Sequence, residues 1–430
     1  MRNPVVIERA ERLHQIPLNR PLEHSRYLRR LAAMGIEPID LTTGIADPFP
    51  RQDAIEKTFD ADSATGGRGE PRGPGRPGGP GSPGSPGGLG DLAETSRHAG
   101  DAFRRAFSNW FAYRFDVEID PDTHVLPFAG SAVGPACVAM ALVNPGETVL
   151  APDPSHPAYR TSAVLANGQI QSYPLHGRND FLPNLKQIEP RIAGQAKLMY
   201  VGFPNDPTGV VADHSFFREL IDFARRHNII VCHDATQHFL TYDGVEAPSL
   251  LQTPGAMNVG IELFSLSVLP GGMFRDLGVA VGNPSALAAM SQLTSHLHDP
   301  LLPGLLAAAA AEFPRLDRHV ETVVSRCRSQ RDLMVTGLRD LGWHLPAPGG
   351  GPYVWLPVPP RYSSVRFSIL LRKAGVFVVP GAYLGEYGEG YVRMAFNGDA
   401  SQIRAALDRI DRQMSRFRLR KRSFPAVSLA

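Results

Sequence analysis

LFSLSVLPGGMFRDLGVAVGN, Leu263 to Asn283, is the stretch on which the reading of this chain turns. It opens on an apolar run that carries two serines, breaks at Pro270-Gly271-Gly272, and closes on the small, alternating run Leu277 to Gly282. That pattern describes a buried strand, a tight glycine turn and a second buried strand, with Ser265 and Ser267 at the mouth between them.

Working outward, Lys197 to Val201 form a buried strand that runs into Phe203-Pro-Asn-Asp-Pro-Thr-Gly209. A helix over 214–227 leads to the β-branched run Ile229 to Cys232, which suits a parallel strand and ends at His233-Asp234. Upstream, Ala102 to Tyr113 reads as an amphipathic helix, and a strand ends at Ala129. Gly130-Ser131 then open a helix whose free N–H groups would cradle an anion. Residues 1–40 read as an arm and a helix, with Leu28, Leu31 and Met34 at helical spacing, before Asp40-Leu-Thr-Thr-Gly44. Residues 63–90 are low in complexity, rich in Gly, Pro, Ser and Arg. With almost nothing apolar to bury, they are expected to form a disordered surface excursion. The basic tail from Arg416 to Arg422 reads as a solvated helix end.

The 430 residues, 43% of them hydrophobic, suffice for a large core and two domains. A net charge of +2 gives no reason to expect nucleic acid as a partner. Cys137, Cys232 and Cys327 show neither paired nor metal-ligand spacing, so no metal is expected and a reduced, cytoplasmic setting is. The N-terminus lacks the apolar core of a signal peptide. The longest apolar run, Leu301 to Ala311, is too short to cross a membrane and contains Pro303 and Gly304.

These motifs, in this order, resemble those of class I/II aminotransferases that use pyridoxal phosphate, in particular the subgroup that includes LL-diaminopimelate aminotransferase. Ser265 to Asn283 is similar to that family's Ser-Leu-Ser-Lys, loop, Arg-x-Gly-x-x-x-Gly-Asn segment. Phe203 to Gly209 resembles its Asn-Pro-Asn-Asn-Pro-Thr-Gly turn, and Gly388-Glu-Gly-Tyr-Val-Arg393 its Gly-x-Gly-Tyr-Val-Arg strand. The resemblance implies the α/β fold of type I pyridoxal-phosphate transferases. Its large domain has a mostly parallel sheet flanked by helices, beside a smaller C-terminal α/β domain, in a homodimer. The expected division is residues 1–45 as an arm and part of the small domain, 46–315 as the large domain with 60–95 as an insertion, and 316–430 as the small domain.

By the same resemblance, Asp234 would pair with the cofactor's ring nitrogen, and Ser131, Ser265 and Ser267 would line the cofactor pocket. Arg393 would clamp a substrate carboxylate, with Gly44 and Gln237 beside it. The departures fall on the chemistry. The Schiff-base lysine is replaced by Val268, which can neither hold the cofactor nor shuttle a proton. Asp276 stands where an arginine grips the phosphate, and a carboxylate there repels a dianion. Asp206 replaces an asparagine donor, His156 a stacking aromatic residue, and Gln237 a tyrosine.

Three readings follow. In the first, the chain is an enzyme without covalent pyridoxal phosphate, acting on a small carboxylate-bearing, amino-acid-like molecule, with Asp234, His156 and Asp206 as acid/base candidates. In the second, it is a non-catalytic partner or metabolite sensor that forms a heterodimer with an active paralogue. In the third, it is a slow transaminase that holds pyridoxal phosphate or its amine form without a lysine bond.

Overall fold

The computed structural model describes residues 10–16, 20–33, 35, 37–43, 89–130, 133–270, 272–297, 303–396 and 398–416. Its large sheet has seven strands: β2 (Val125–Ala129), β3 (Thr148–Asp153), β4 (Gln169–Pro174), β5 (Ala196–Gly202), β6 (Ile230–Asp234), β7 (Gly260–Ser265) and β8 (Leu277–Gly282). They lie in the order β2-β8-β7-β6-β5-β3-β4. The neighbours from β4 across to β7 are parallel, and β8 runs against both β7 and β2. The stretch Leu263–Asn283 therefore builds an antiparallel pair, Ile261 opposite Gly282 and Ser265 opposite Gly278.

Side chains alternate across the pleat, and both faces are apolar because helices cover both. On one face, Val231, Phe264, Val279 and Val281 pack on α2 (Leu89–Phe115), whose Phe103, Phe107 and Phe111 recur every four residues and are fully buried. Each such phenylalanine contributes roughly 2–3 kcal/mol of burial free energy. On the other face, Cys232, Ile261, Leu263 and Ala280 pack with Val138 and Ala139 of α3 (Gly134–Leu142) and Tyr159 of α4 (Pro157–Leu165). His233 and Glu262, paired in register, form a buried contact of 2.8 Å, and the Ser249 hydroxyl and Leu250 N–H also donate to the carboxylate.

The smaller layer is the antiparallel sheet β11-β12-β9, built from β9 (Tyr353–Pro357), β11 (Val379–Pro380) and β12 (Tyr391–Ala395). It encloses a second core with Trp343, Phe367 and Phe396. β1 (Ile39–Asp40) pairs in parallel with β10 (Val376–Phe377), so the N-terminal segment joins this layer. The helix Leu316–Asp340 starts with Leu316 in the large core and continues with Val323 in the small one.

One expectation needs correcting. Helix α2 begins at Leu89, so the end of the span 60–95 is helical, because apolar side chains that can seat on the sheet follow it closely. The rest of the Gly/Pro-rich stretch and residues 417–422 of the basic tail lie outside the described residues. The three cysteines are free and buried, and no helix among the described residues is long and apolar enough to cross a membrane.

The two layers are tied at the end of β3. Buried Asp153 accepts from the backbone N–H groups of Glu386 and Tyr387 at 3.0 and 2.9 Å. Gly385 makes this approach possible: with φ at +151°, its Cβ would lie 1.9 Å from the Asp153 carboxylate. Gly385→Ala is expected to destabilise the protein by about 2–3 kcal/mol through overpacking, read by denaturant unfolding. An unchanged midpoint would contradict this account of the junction.

His238 supplies a second prediction. It is packed among Phe115, Phe239 and Phe264, its Nδ1 has no partner, and burial together with Arg114 and His233 pushes its pKa down to about 3. The unfolded chain takes up a proton here near pH 6.5 that the folded chain refuses, so His238 costs stability as pH falls below that value. Between about pH 7 and 5 the loss is about 2 kcal/mol. His238→Phe should flatten the pH profile of stability over that range; parallel profiles would contradict the assignment.

Candidate functional site

In a parallel sheet the loops at the carboxyl ends of the strands form the ligand crevice. Here four such ends converge. β5 ends at Gly202, opposite Asp234 of β6, and Asp234 lies opposite Leu263 of β7. β3 ends at Asp153, just before His156.

Asp234 is held on both oxygens. The Tyr159 hydroxyl donates to Oδ2 at 2.8 Å, and Thr236 donates to Oδ1 from its N–H at 3.0 Å and its hydroxyl at 2.6 Å. Tyr159 stacks on Tyr200 with ring centres 5.0 Å apart. Burial first, and then the charge of Asp234, raises the Tyr159 pKa well above the ordinary phenol value, so this hydroxyl keeps its proton and acts as a fixed donor. Asp234 is thus a preorganised acceptor at a strand end.

His156 has a local task. It is the N-cap of α4, with Pro157 at the first helical position, and its Nδ1 accepts from the Ala158 N–H at 3.2 Å. Asp234 and His156, expected as an acid/base pair, make no hydrogen bond with each other; Tyr159 and Thr236 are the groups bonded to Asp234. Gln237 follows Thr236 on the same loop, half-buried, and its carbonyl accepts from the Leu240 N–H.

The turn after β5 is held from within. Asn205 Oδ1 accepts from the Thr208 N–H and hydroxyl, and the Gly209 N–H donates to the Asn205 carbonyl. This turn presents Asp206 to Arg393 of β12. Arg393 Nη1 donates to both Asp206 oxygens, at 2.7 and 2.8 Å, and Nη2 donates to the Thr42 carbonyl at 2.9 Å. The guanidinium lies 4.1 Å from the centre of the Tyr353 ring. Burial, the largest single influence, would lower its pKa, but the Asp206 carboxylate and Tyr353 together raise it. Of its donors, Nε alone is buried without a partner among the described residues. The arginine expected to clamp a ligand carboxylate already holds one from its own chain.

On the same face of the small sheet, Trp355 lies opposite Arg393 and stacks on Tyr391 with ring centres 5.1 Å apart. These two rings and the segments Thr208–Val211 and Pro346–Gly349 line a cavity of about 310 Å³, room for a small molecule.

The remaining expected residues spread out. Ser265 is buried at the end of β7, and its hydroxyl oxygen weakly accepts the Ser267 N–H at 3.4 Å. Val268 is 3% exposed and belongs to the large core with Leu266, Leu269 and Phe274. Asp276 is exposed, and its carbonyl accepts from the Gly130 N–H at 2.6 Å. Gly44 and Ser131 lie outside the described residues.

Does this set fit the cofactor implied by the resemblance? Of the five lysines in the chain, Lys186, Lys197 and Lys373 are described. Lys197 is the second residue of β5, about 16 Å from the Gly202 end by strand rise. Lys186 and Lys373 are exposed, the latter at the end of a small-domain helix. None of these three described lysines stands at the strand ends, Asp206 accepts instead of donating, and the Asp276 carboxylate would repel a phosphate. These residues do not fit a lysine-bound pyridoxal phosphate.

Sequence reasoning missed Tyr159, Thr236 and Tyr353. Thr236 had a signal: a hydroxyl two residues after a strand-end aspartate favours the local Asx-type bond seen here. Tyr159 and Tyr353 had none, since their partners are distant in sequence.

With this geometry in place, the relatives can be set beside it. The family model for aminotransferase class I and II matches residues 94–410. An LL-diaminopimelate aminotransferase of Moorella thermoacetica is 39% identical over 316 residues, covering 73% of this chain and 81% of that one. Another, from Syntrophobacter fumaroxidans, is 35% identical over 409 residues, 94% of this chain and 98% of its own. Among solved structures, substrate-bound BacF of Bacillus subtilis matches with a TM-score of 0.79 at 26% identity, covering 95% of this chain and 98% of that one. A probable N-succinyldiaminopimelate aminotransferase of Thermus thermophilus gives 0.77 at 27% identity, covering 91% and 99%. By sequence along most of its length, this chain belongs to the class I and II aminotransferase family.

Proposed function

We propose that this chain works without covalent pyridoxal phosphate, acting on a small nitrogen-bearing metabolite of amino-acid metabolism in the cleft between its two layers. The observation that carries this reading is Val268, an apolar side chain packed into the core where the family needs an amine. A valine cannot form the cofactor bond or carry the α-proton, and no other described lysine stands at the strand ends. The relatives named for LL-diaminopimelate support a nitrogen-bearing metabolite of amino-acid metabolism as the substrate class. The cavity beside Trp355 supports small-molecule binding, and Asp234, fixed by Tyr159 and Thr236 at the end of β6, supplies a preorganised acceptor in the strand-end crevice.

Asp234 also leaves room for weak, non-covalent binding of pyridoxal phosphate or its amine form. A cytoplasmic homodimer is part of the same reading. Val133 and Met273, 47% and 45% exposed, offer apolar surface beside the Gly130–Asp276 corner that a second copy of the chain could cover.

The test is the absorbance spectrum of the purified protein with added pyridoxal phosphate, followed by borohydride reduction and intact mass. The expected result is the spectrum of the free cofactor and an unchanged mass. A shifted band with a reducible adduct would show that another lysine has replaced position 268 and would overturn the reading.

A further inference from the structure

The geometry points to Asp206 as a built-in carboxylate that fills the seat on Arg393, so that this cleft rejects ligands that bind through a carboxylate. The inference rests on the reading above that the cleft is a small-molecule site, and it names what the site excludes. Three observations carry it. Arg393 gives Nη1 to both oxygens of Asp206, at 2.7 and 2.8 Å, and gives Nη2 to the Thr42 carbonyl. The pair is shielded, with each side chain 10% exposed. The Asn205 turn, closed by the Thr208 and Gly209 bonds, aims Asp206 at the guanidinium from a fixed backbone.

A ligand carboxylate would have to displace a tethered one. The displaced Asp206 would then stay beside the newcomer as a second negative charge, with water largely excluded. Like charges brought together under those conditions disfavour the complex strongly, which is how sites exclude wrong partners. An asparagine at the same place would leave the guanidinium charge free for an incoming anion. One side chain therefore separates a site that recognises carboxylates from one that takes a neutral or cationic group. Asp206 acts on specificity through Arg393 and is a positioning residue.

Calorimetric titration with glutarate, a small dicarboxylate without an amine, tests this in the absence of any cofactor. Wild-type protein should give no saturable heat up to about 10 mM ligand, whereas Asp206→Asn should bind at least about tenfold more tightly than that limit. The gain should vanish in Asp206→Asn combined with Arg393→Gln. Asp206→Ser serves as a second opening variant, and thermal melts establish that each variant is folded. Saturable glutarate binding by the wild type that is lost in Arg393→Gln would overturn the proposal. So would folded Asp206→Asn and Asp206→Ser proteins that both ignore glutarate. Should neither variant fold, the wild-type titration decides alone: refusal supports the proposal, and binding overturns it. No cofactor enters these titrations, so a lysine adduct found in the spectrum would refute the functional reading and leave this result standing.

Discussion

The contact that ties this molecule together is the pair between Arg393 and Asp206, which joins the small sheet to the turn after β5 and, through Thr42, to the N-terminal segment. Its partners are 187 residues apart. A buried ion pair adds little net stability, because desolvation offsets most of the Coulomb attraction, yet removing one partner leaves a stranded charge and costs about 3–5 kcal/mol. Such a pair specifies an arrangement more than it deepens the well. Here the arrangement is the seating of the two layers against each other, with Asp153 and Gly385 making a second tie at the neighbouring strand end.

The fold itself is set by other features of the chain. The parallel strands and the helices on both faces depend on apolar periodicity, which none of the substituted positions interrupts. Val268 improves the core locally, since a valine among Leu266, Leu269 and Phe274 buries apolar surface without a charge to desolvate. Asp276 is exposed and Asp206 is paired, so neither carries an unmet cost. A fold of this kind does not by itself fix the chemistry that its site performs.

The parts of the fold visible in the sequence were those encoded by local pattern. The run Leu263–Asn283 announced two strands and a turn because strand alternation and glycine punctuation act over a few residues, and Asp234 was placed at a strand end by the apolar run before it. The asparagine-proline turn at Phe203–Gly209 was visible for the same reason. What stayed hidden depends on long-range contact. The Tyr159 bond to Asp234 crosses 75 residues, and nothing near Arg393 names Asp206 as its partner. The start of α2 at Leu89 was obscured because the Gly/Pro composition just before it dominates the local pattern. His156 could have been read as a helix cap from the proline that follows it, and the resemblance to a stacking aromatic residue drew attention elsewhere.

The central claim is that residue 268 leaves this chain without a proton shuttle for amino-acid chemistry. The most direct measurement is loss of the α-hydrogen from a panel of amino acids in deuterated water, followed by proton NMR with pyridoxal phosphate present. The account predicts an exchange rate equal to that of the cofactor without protein. Exchange that rises in proportion to protein concentration would contradict it.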